Sequence, residues 1–210
     1  MLIYVLSIFV AILCVRFVLL LWKIHNEPNL KREGYDCVKT AIIIGSGGHT
    51  SEMLRLTCNL NPKRYDPRIY IMASSDVSSE VKVREVERER NSSYIIIKIP
   101  RSRNVNQSYI SSIFTTIYST LAALPIMFYH RPELILCNGP GTCIPICVIA
   151  FLMKLLWITN TTIIFVESVC RVKTLSLSGK ILLLFADAIF VQWPQLQERY
   201  KRTRYIGRLV

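Results

Sequence analysis

Residues 40–53, Thr-Ala-Ile-Ile-Ile-Gly-Ser-Gly-Gly-His-Thr-Ser-Glu-Met, join an apolar β-branched run to a glycine-rich turn and then to a helix start. Ala41 to Ile44 has the continuous apolar character of a strand covered on both faces, as in a parallel sheet. Gly45, Gly47 and Gly48 follow directly, and glycines admit positive φ or let a ligand approach the backbone. A helix that opens at such a turn presents free N–H groups to an anion, so the stretch predicts a strand–turn–helix unit that handles a diphosphate. It is no Walker A loop, because no Gly-Lys-Ser/Thr follows, and Thr50 stands where Gly-x-Gly-x-x-Gly needs its last glycine. Taken alone, the turn also reads as plain strand-to-helix geometry, and the rest of the chain must decide.

Outward from this unit, strand and helix patterns alternate. Strands are expected near 38–44, 68–73, 94–99, 133–138, 161–166 and 188–192, with helices near 50–60, 77–90, 107–129, 141–157 and 175–186. Such alternation predicts an α/β, Rossmann-like open parallel sheet with right-handed crossovers. Ligands of these sheets bind at the carboxyl ends of the strands. The loops there carry Gly45-Ser46-Gly47-Gly48-His49, Pro100-Arg101-Ser102-Arg103-Asn104, Asn138-Gly139-Pro140-Gly141-Thr142 and Glu167-Ser168-Val169-Cys170-Arg171. Glycine N–H groups and guanidinium groups are what a pyrophosphate needs. Gly45, Gly47, Gly48, Arg101, Arg103, Asn138, Gly139, Gly141 and Arg171 are therefore the expected diphosphate-binding set. For Arg101 and Arg103 the competing view is a solvated basic loop. His49 and Glu167 are the candidate catalytic groups; against that, a histidine at a helix start often only caps or packs, and Glu167 has Arg171 as an available partner.

Ahead of the sheet, Met1 to Trp22 contains one charge, Arg16, and reaches the ~20 apolar residues that cross a bilayer. The short core, basic start and small-residue cleavage site of a secretory signal are absent, so a retained single-pass anchor over 1–22 and a linker over 23–37 are expected. Lys23, Lys31, Arg32 and Lys39 follow the segment, which places the globular part, 38–196, in the cytosol. Arg16 is expected to snorkel to the same interface. Sequons beginning at Asn91, Asn106 and Asn160 test that orientation, since only a lumenal domain is glycosylated.

The chain has 210 residues, with 26 Lys and Arg against 14 Asp and Glu, a net charge of +12. With an anchor present, this balance favours anionic lipid heads or diphosphates, and no RNP-type or zinc-knuckle signature supports nucleic acid. The seven cysteines form no C-x-x-C pair, which favours reduced structural thiols. No motif calls for a metal or a cofactor. A nicotinamide enzyme would need an acid about 20 residues past the glycine turn; Asp66 is near that spacing but sits in Tyr-Asp-Pro, ahead of the second strand.

Two further segments are apolar over most of their length. Tyr109 to Tyr129 is diluted by hydroxyl residues and carries Pro125, and Ile144 to Ile158 carries Pro145 and Lys154. Both are expected as buried or membrane-facing helices that hold a lipid substrate, not as spans. The mixed charges of 77–90 predict a solvated face.

Six ordered stretches, GSGGHTSEM at 45–53, PRSRNVNQSY at 100–109, NGPGTCIP at 138–145, FVESVCRVKTLSLSGK at 165–180, ADAIFVQWPQL at 186–196 and YIGRLV at 205–210, carry a resemblance over nearly all of 40–210. They resemble the membrane-anchored subunits of the UDP-N-acetylglucosamine transferase that adds the second sugar to dolichol-linked oligosaccharide, the fourteenth of the asparagine-linked glycosylation series. More distantly, the glycine turns are similar to the acceptor half of MurG-type GT-B glycosyltransferases.

The resemblance implies half an enzyme at the endoplasmic reticulum membrane and its continuation, the nuclear envelope. This half would bind the dolichyl-diphosphate-linked acceptor and recruit a small cytosolic subunit that holds UDP-GlcNAc. It also implies inverting β1-4 transfer that the chain does not perform alone. About 16 residues after Pro194 do not make a second nucleotide-sugar domain, so the tail 197–210 is expected to dock the partner through Tyr205, Ile206, Leu209 and Val210. A membrane scaffold that only recruits the partner is the alternative.

Overall fold

The computed structural model describes residues 1–26, 37–90, 93–104 and 107–209. In chain order the elements are α1 (Leu2–Asn26), β1 (Thr40–Ile43), α2 (Gly48–Thr57), β2 (Arg68–Ala73), α3 (Val77–Arg90), β3 (Tyr94–Ile99), α4 (Tyr109–His130) and β4 (Leu134–Asn138). There follow α5 (Cys143–Leu155), β5 (Thr162–Val166), α6 (Leu177–Leu182), β6 (Ala188–Val191), α7 (Pro194–Arg199) and β7 (Arg204–Tyr205). All strands pair in parallel, in the order β3-β2-β1-β4-β5-β6-β7. This is the doubly wound arrangement, with its switch point between β1 and β4.

The side-chain alternation of β1 separates the two faces. Ala41 and Ile43 join a core built from α4, α5 and α6, including Ala123, Met127, Ile146 and Leu182. Ile42 and Ile44 join a smaller core with Met53 of α2 and Val83 of α3.

The expected linker is shorter than 23–37: α1 continues through its first four residues, and 27–36, like Asn91, Asn106 and Val210, lies outside the described residues. Arg16 turns to the end of α5. Its Nε donates to the Leu155 carbonyl at 2.7 Å and Nη2 to the Lys154 carbonyl at 2.8 Å, and its guanidinium lies 3.7 Å from the centre of the Trp157 ring. A cation thus caps the carbonyl end of α5, beside the Trp157 N–H that already reaches the Lys154 carbonyl. Phe17 stacks edge-on against Phe151, and Ile24 is buried, so α1 is packed onto α5.

α4 runs through Pro125 as one helix of 22 residues, while Pro145 lies in the first turn of α5, where a missing N–H costs nothing. The α3 expectation needs one correction. Glu87 is not solvated: its carboxylate receives Arg68 Nε at 3.0 Å and Nη2 at 2.7 Å, as well as the Tyr70 hydroxyl at 2.5 Å. Arg68 and Glu87 side chains are both fully buried, a paired charge that periodicity in a charge-rich helix conceals. The tail also does more than extend from the domain, because β7 pairs with β6 and completes the sheet edge.

Candidate functional site

Because α2 and α5 leave β1 and β4 on opposite faces of the sheet, the loops at the switch point part and leave a crevice. Gly47 takes φ 61° at the start of α2, and Gly139 takes φ 71° just after β4. The His49 ring lies against Gly139, where any Cβ would collide with it. The Gly45 carbonyl accepts from Thr50 Oγ1 at 2.6 Å and from Ser79 Oγ at 3.1 Å, which pins the turn to α2 and α3.

Asn138, buried at the end of β4, orients the histidine. Its Nδ2 donates to the Val166 carbonyl at 3.2 Å, so its Oδ1 is the atom facing His49 Nδ1, also at 3.2 Å. An amide oxygen only accepts, hence Nδ1 carries the ring hydrogen and Nε2 keeps its lone pair. That tautomer can receive a proton at Nε2.

The crevice is a cavity of about 730 Å³. Its polar end gathers His49, Arg101, Arg103, Gly139, Gly141 and Arg171; its apolar wall is Ile113 and Ile117 of α4, Ile144 of α5, and Leu177 and Ile181 of α6. Arg101 donates to Asp76 at 2.9 Å. Burial pushes the Asp76 carboxyl above its ordinary value, and the Arg101 charge opposes that shift. Arg103 is exposed, bonded to the Gln107 carbonyl at 3.0 Å and stacked 4.3 Å from the centre of the Tyr109 ring.

A second chamber of about 410 Å³ adjoins the first and shares His49, Gly139, Arg171 and Ser176 with it. Gly48 and Glu52 of α2 line it, together with Ser168 and Cys170.

The expected residues thus divide by position. Gly48 and the six polar-end residues reach the two chambers, whereas Gly45 lies buried beneath His49, and Asn138 acts through His49. Glu167 also borders the smaller chamber, but it is 0% exposed and its carboxylate is taken up by the following loop. Its oxygens receive Ser168 N at 3.1 Å, Ser176 N at 2.8 Å and Ser176 Oγ at 3.0 Å. Burial raises its titration, against those hydrogen bonds and the Arg171 charge. This geometry makes it the clamp of the 168–176 loop. Tyr205 and Ile206 lie at and just beyond the edge strand β7, exposed at 38% and 60%, whereas Leu209 N donates to Gln192 Oε1 at 3.2 Å, and Gln192 Nε2 donates to the Glu167 carbonyl. Asp76 and Glu52 were not anticipated. The position of Asp76 at the carboxyl end of β2 was the available signal.

The sequence profile of the family described as "Oligosaccharide biosynthesis protein Alg14 like" matches residues 40–209. The chain is 45% identical over 207 residues to the "UDP-N-acetylglucosamine transferase subunit ALG14" of Rattus norvegicus, covering 94% of each chain. It is 44% identical over 204 residues to the subunit of the same name from Candida albicans, covering 96% of this chain and 92% of that one. Among solved structures, MurG of Acinetobacter baumannii superposes with a TM-score of 0.54 at 13% identity, over 75% of this chain and 43% of MurG. That likeness establishes a GT-B-type glycosyltransferase fold. On the profile match and these identities, the chain belongs to the Alg14-like family of oligosaccharide biosynthesis proteins.

Proposed function

We propose that this chain is the acceptor-binding subunit of a UDP-GlcNAc transferase, held at the cytosolic face of the endoplasmic reticulum membrane by α1. The observation that carries the reading is the composition of the larger cavity. Guanidinium groups and glycine backbone at one end suit a diphosphate, and the wall of Ile113, Ile117, Ile144, Leu177 and Ile181 suits a polyisoprenoid chain. The names of the relatives, subunits of a UDP-N-acetylglucosamine transferase, support the reaction class and a second polypeptide that holds the nucleotide sugar.

In the reaction, the 4-hydroxyl oxygen of the acceptor's first GlcNAc attacks the anomeric carbon of the donor. The bond from that carbon to UDP breaks, and the configuration inverts to a β1-4 linkage. His49 Nε2 takes the hydroxyl proton. UDP leaves with the electron pair, its charge compensated on the partner's side. Tyr205 and Ile206, apolar and exposed beside the basic Arg204 and Arg208, form the docking edge for that partner.

The test uses the full chain co-purified with its transferase partner from membranes. Arg103→Ala and Arg171→Ala, both at exposed positions, are expected to keep the partner bound while lowering GlcNAc transfer by about tenfold or more, the worth of a charged hydrogen bond. A chain that only recruits its partner would keep both recruitment and transfer, and that result would overturn the acceptor site.

A further inference from the structure

The smaller chamber contains a carboxylate to which nothing above gives a task. Glu52, on the first turns of α2, uses Oε1 to accept from Ser168 Oγ at 2.8 Å. Its other oxygen, Oε2, is buried and has no hydrogen-bond partner among the described residues. An unsatisfied carboxylate oxygen is expensive, and such an atom inside a site marks a place where a ligand supplies the donor.

The two chambers differ in chemistry and meet at a shared boundary. The larger has an aliphatic wall, whereas the lining of the smaller is polar or backbone, with Gly48, His49, Glu52, Ser168, Arg171 and the already saturated Glu167 around it. His49, Gly139 and Arg171 belong to both. A diphosphate at that boundary, with its lipid along the aliphatic wall, directs its other substituent into the smaller chamber. On the acceptor reading, that substituent is a hexosamine ring.

We infer that the smaller chamber is the acceptor's sugar subsite and that Glu52 is its specificity-determining residue, Oε2 accepting a hydrogen bond from a hydroxyl of the pyranose. This rests on the acceptor reading and extends it: the arginines hold the lipid diphosphate, and Glu52 distinguishes a lipid that bears a sugar from one that does not. A hydroxyl is the right partner because a carboxylate oxygen only accepts, and a site built to bond one discriminates strongly against analogues that lack it. Glu52 also lies one turn beyond His49 on α2. The ring that places a hydroxyl against Glu52 therefore brings a neighbouring hydroxyl toward the histidine.

Two lipids separate the roles in the full complex: polyprenyl-diphospho-GlcNAc as substrate and sugar-free polyprenyl diphosphate as competitive inhibitor. Glu52→Gln keeps an oxygen for Ser168 and replaces Oε2 with an NH2 donor. The expected result is a rise of about tenfold or more in KM for the sugar-bearing lipid. The KM for UDP-GlcNAc and the inhibition constant of the sugar-free lipid stay within about twofold of wild type. Glu52→Asp, which withdraws the carboxylate by one methylene, gives the same pattern.

Weakening of both lipids alike, or no change in either, would overturn the inference. Arg103→Ala separates it from the reading beneath it. That variant weakens both lipids if the larger cavity holds the diphosphate; if it weakens neither, the acceptor site fails whatever Glu52 does.

Discussion

α3 and α4 cover opposite faces of one sheet, and their outward surfaces are opposites in chemistry. Outward from α3 project Lys82, Arg84, Glu85, Arg88 and Glu89, and beneath them the buried Arg68–Glu87 pair is bonded by Tyr70. Ile110, Phe114, Tyr118 and Leu121 of α4, spaced as one helical stripe, stand exposed at 75%, 71%, 65% and 59%. Both helices bury only a narrow inner stripe, Ser79, Val83 and Glu87 in α3 and Ser119, Ala123 and Met127 in α4. The difference therefore lies in the outward faces, charged on α3 and apolar on α4; the proposed function sets the first against water and the second against lipid. Ile113 and Ile117 of α4 line the cavity, so under the proposed function a lipid substrate would reach it along this face without crossing water.

The largest test of this contrast is on the α3 side. Arg68→Met takes two hydrogen bonds from the Glu87 carboxylate, leaving it Tyr70 and Arg90, and is expected to cost about 3 kcal/mol near neutral pH, measured by chemical unfolding. Burial alone would raise Glu87, but the Arg68 and Tyr70 hydrogen bonds and the Arg68 and Arg90 charges outweigh it, so the carboxyl titrates below its ordinary 4.5. A depressed acid contributes stability above its unfolded value and loses it as the pH falls through the folded one. The gap between wild type and Arg68→Met should hold at neutral pH and narrow under acid, below 4.5. A gap that widened under acid would contradict the pairing.

On the lipid side, Phe114→Lys with Leu121→Lys should leave unfolding within roughly 0.5 kcal/mol, as exposed positions do. Transfer to a long-chain acceptor in membranes should fall by about tenfold, because burying each of these side chains in lipid contributes roughly 1.5–3 kcal/mol. A short-chain acceptor in detergent should be used as before; equal loss on both would mean that this face has no dealings with lipid. The smallest effect belongs to Glu85→Lys on α3, expected to shift stability by less than about 0.5 kcal/mol and transfer not at all.

The sheet was legible because β-branched runs such as Ala41 to Ile44 and Ile69 to Met72 leave few alternatives to buried parallel strands. The glycine and arginine loops were legible too, since strand order alone brings carboxyl-end loops to one rim. Other features depend on contacts far apart in sequence. Glu87 looks like its solvated neighbours until Arg68, 19 residues earlier, is folded beneath it. Glu167 ends a strand near Arg171 in sequence, and only the approach of Ser176 and the space left by Gly179 show what its carboxylate holds. Glu52 meets Ser168 across 116 residues, and β7 is only two residues long, below what alternation can signal.

The grip of Arg16 on the end of α5 has a practical consequence for anyone preparing a water-soluble version of this protein. Truncation before residue 27 would do more than remove an insoluble leader. It would unroof Phe151, delete Ile24 from the interior and leave the Leu155 and Lys154 carbonyls without their cation. The first helix is thus a fitted beam of the domain, and the rim that carries His49 is held at one attitude to it instead of swinging on a leash.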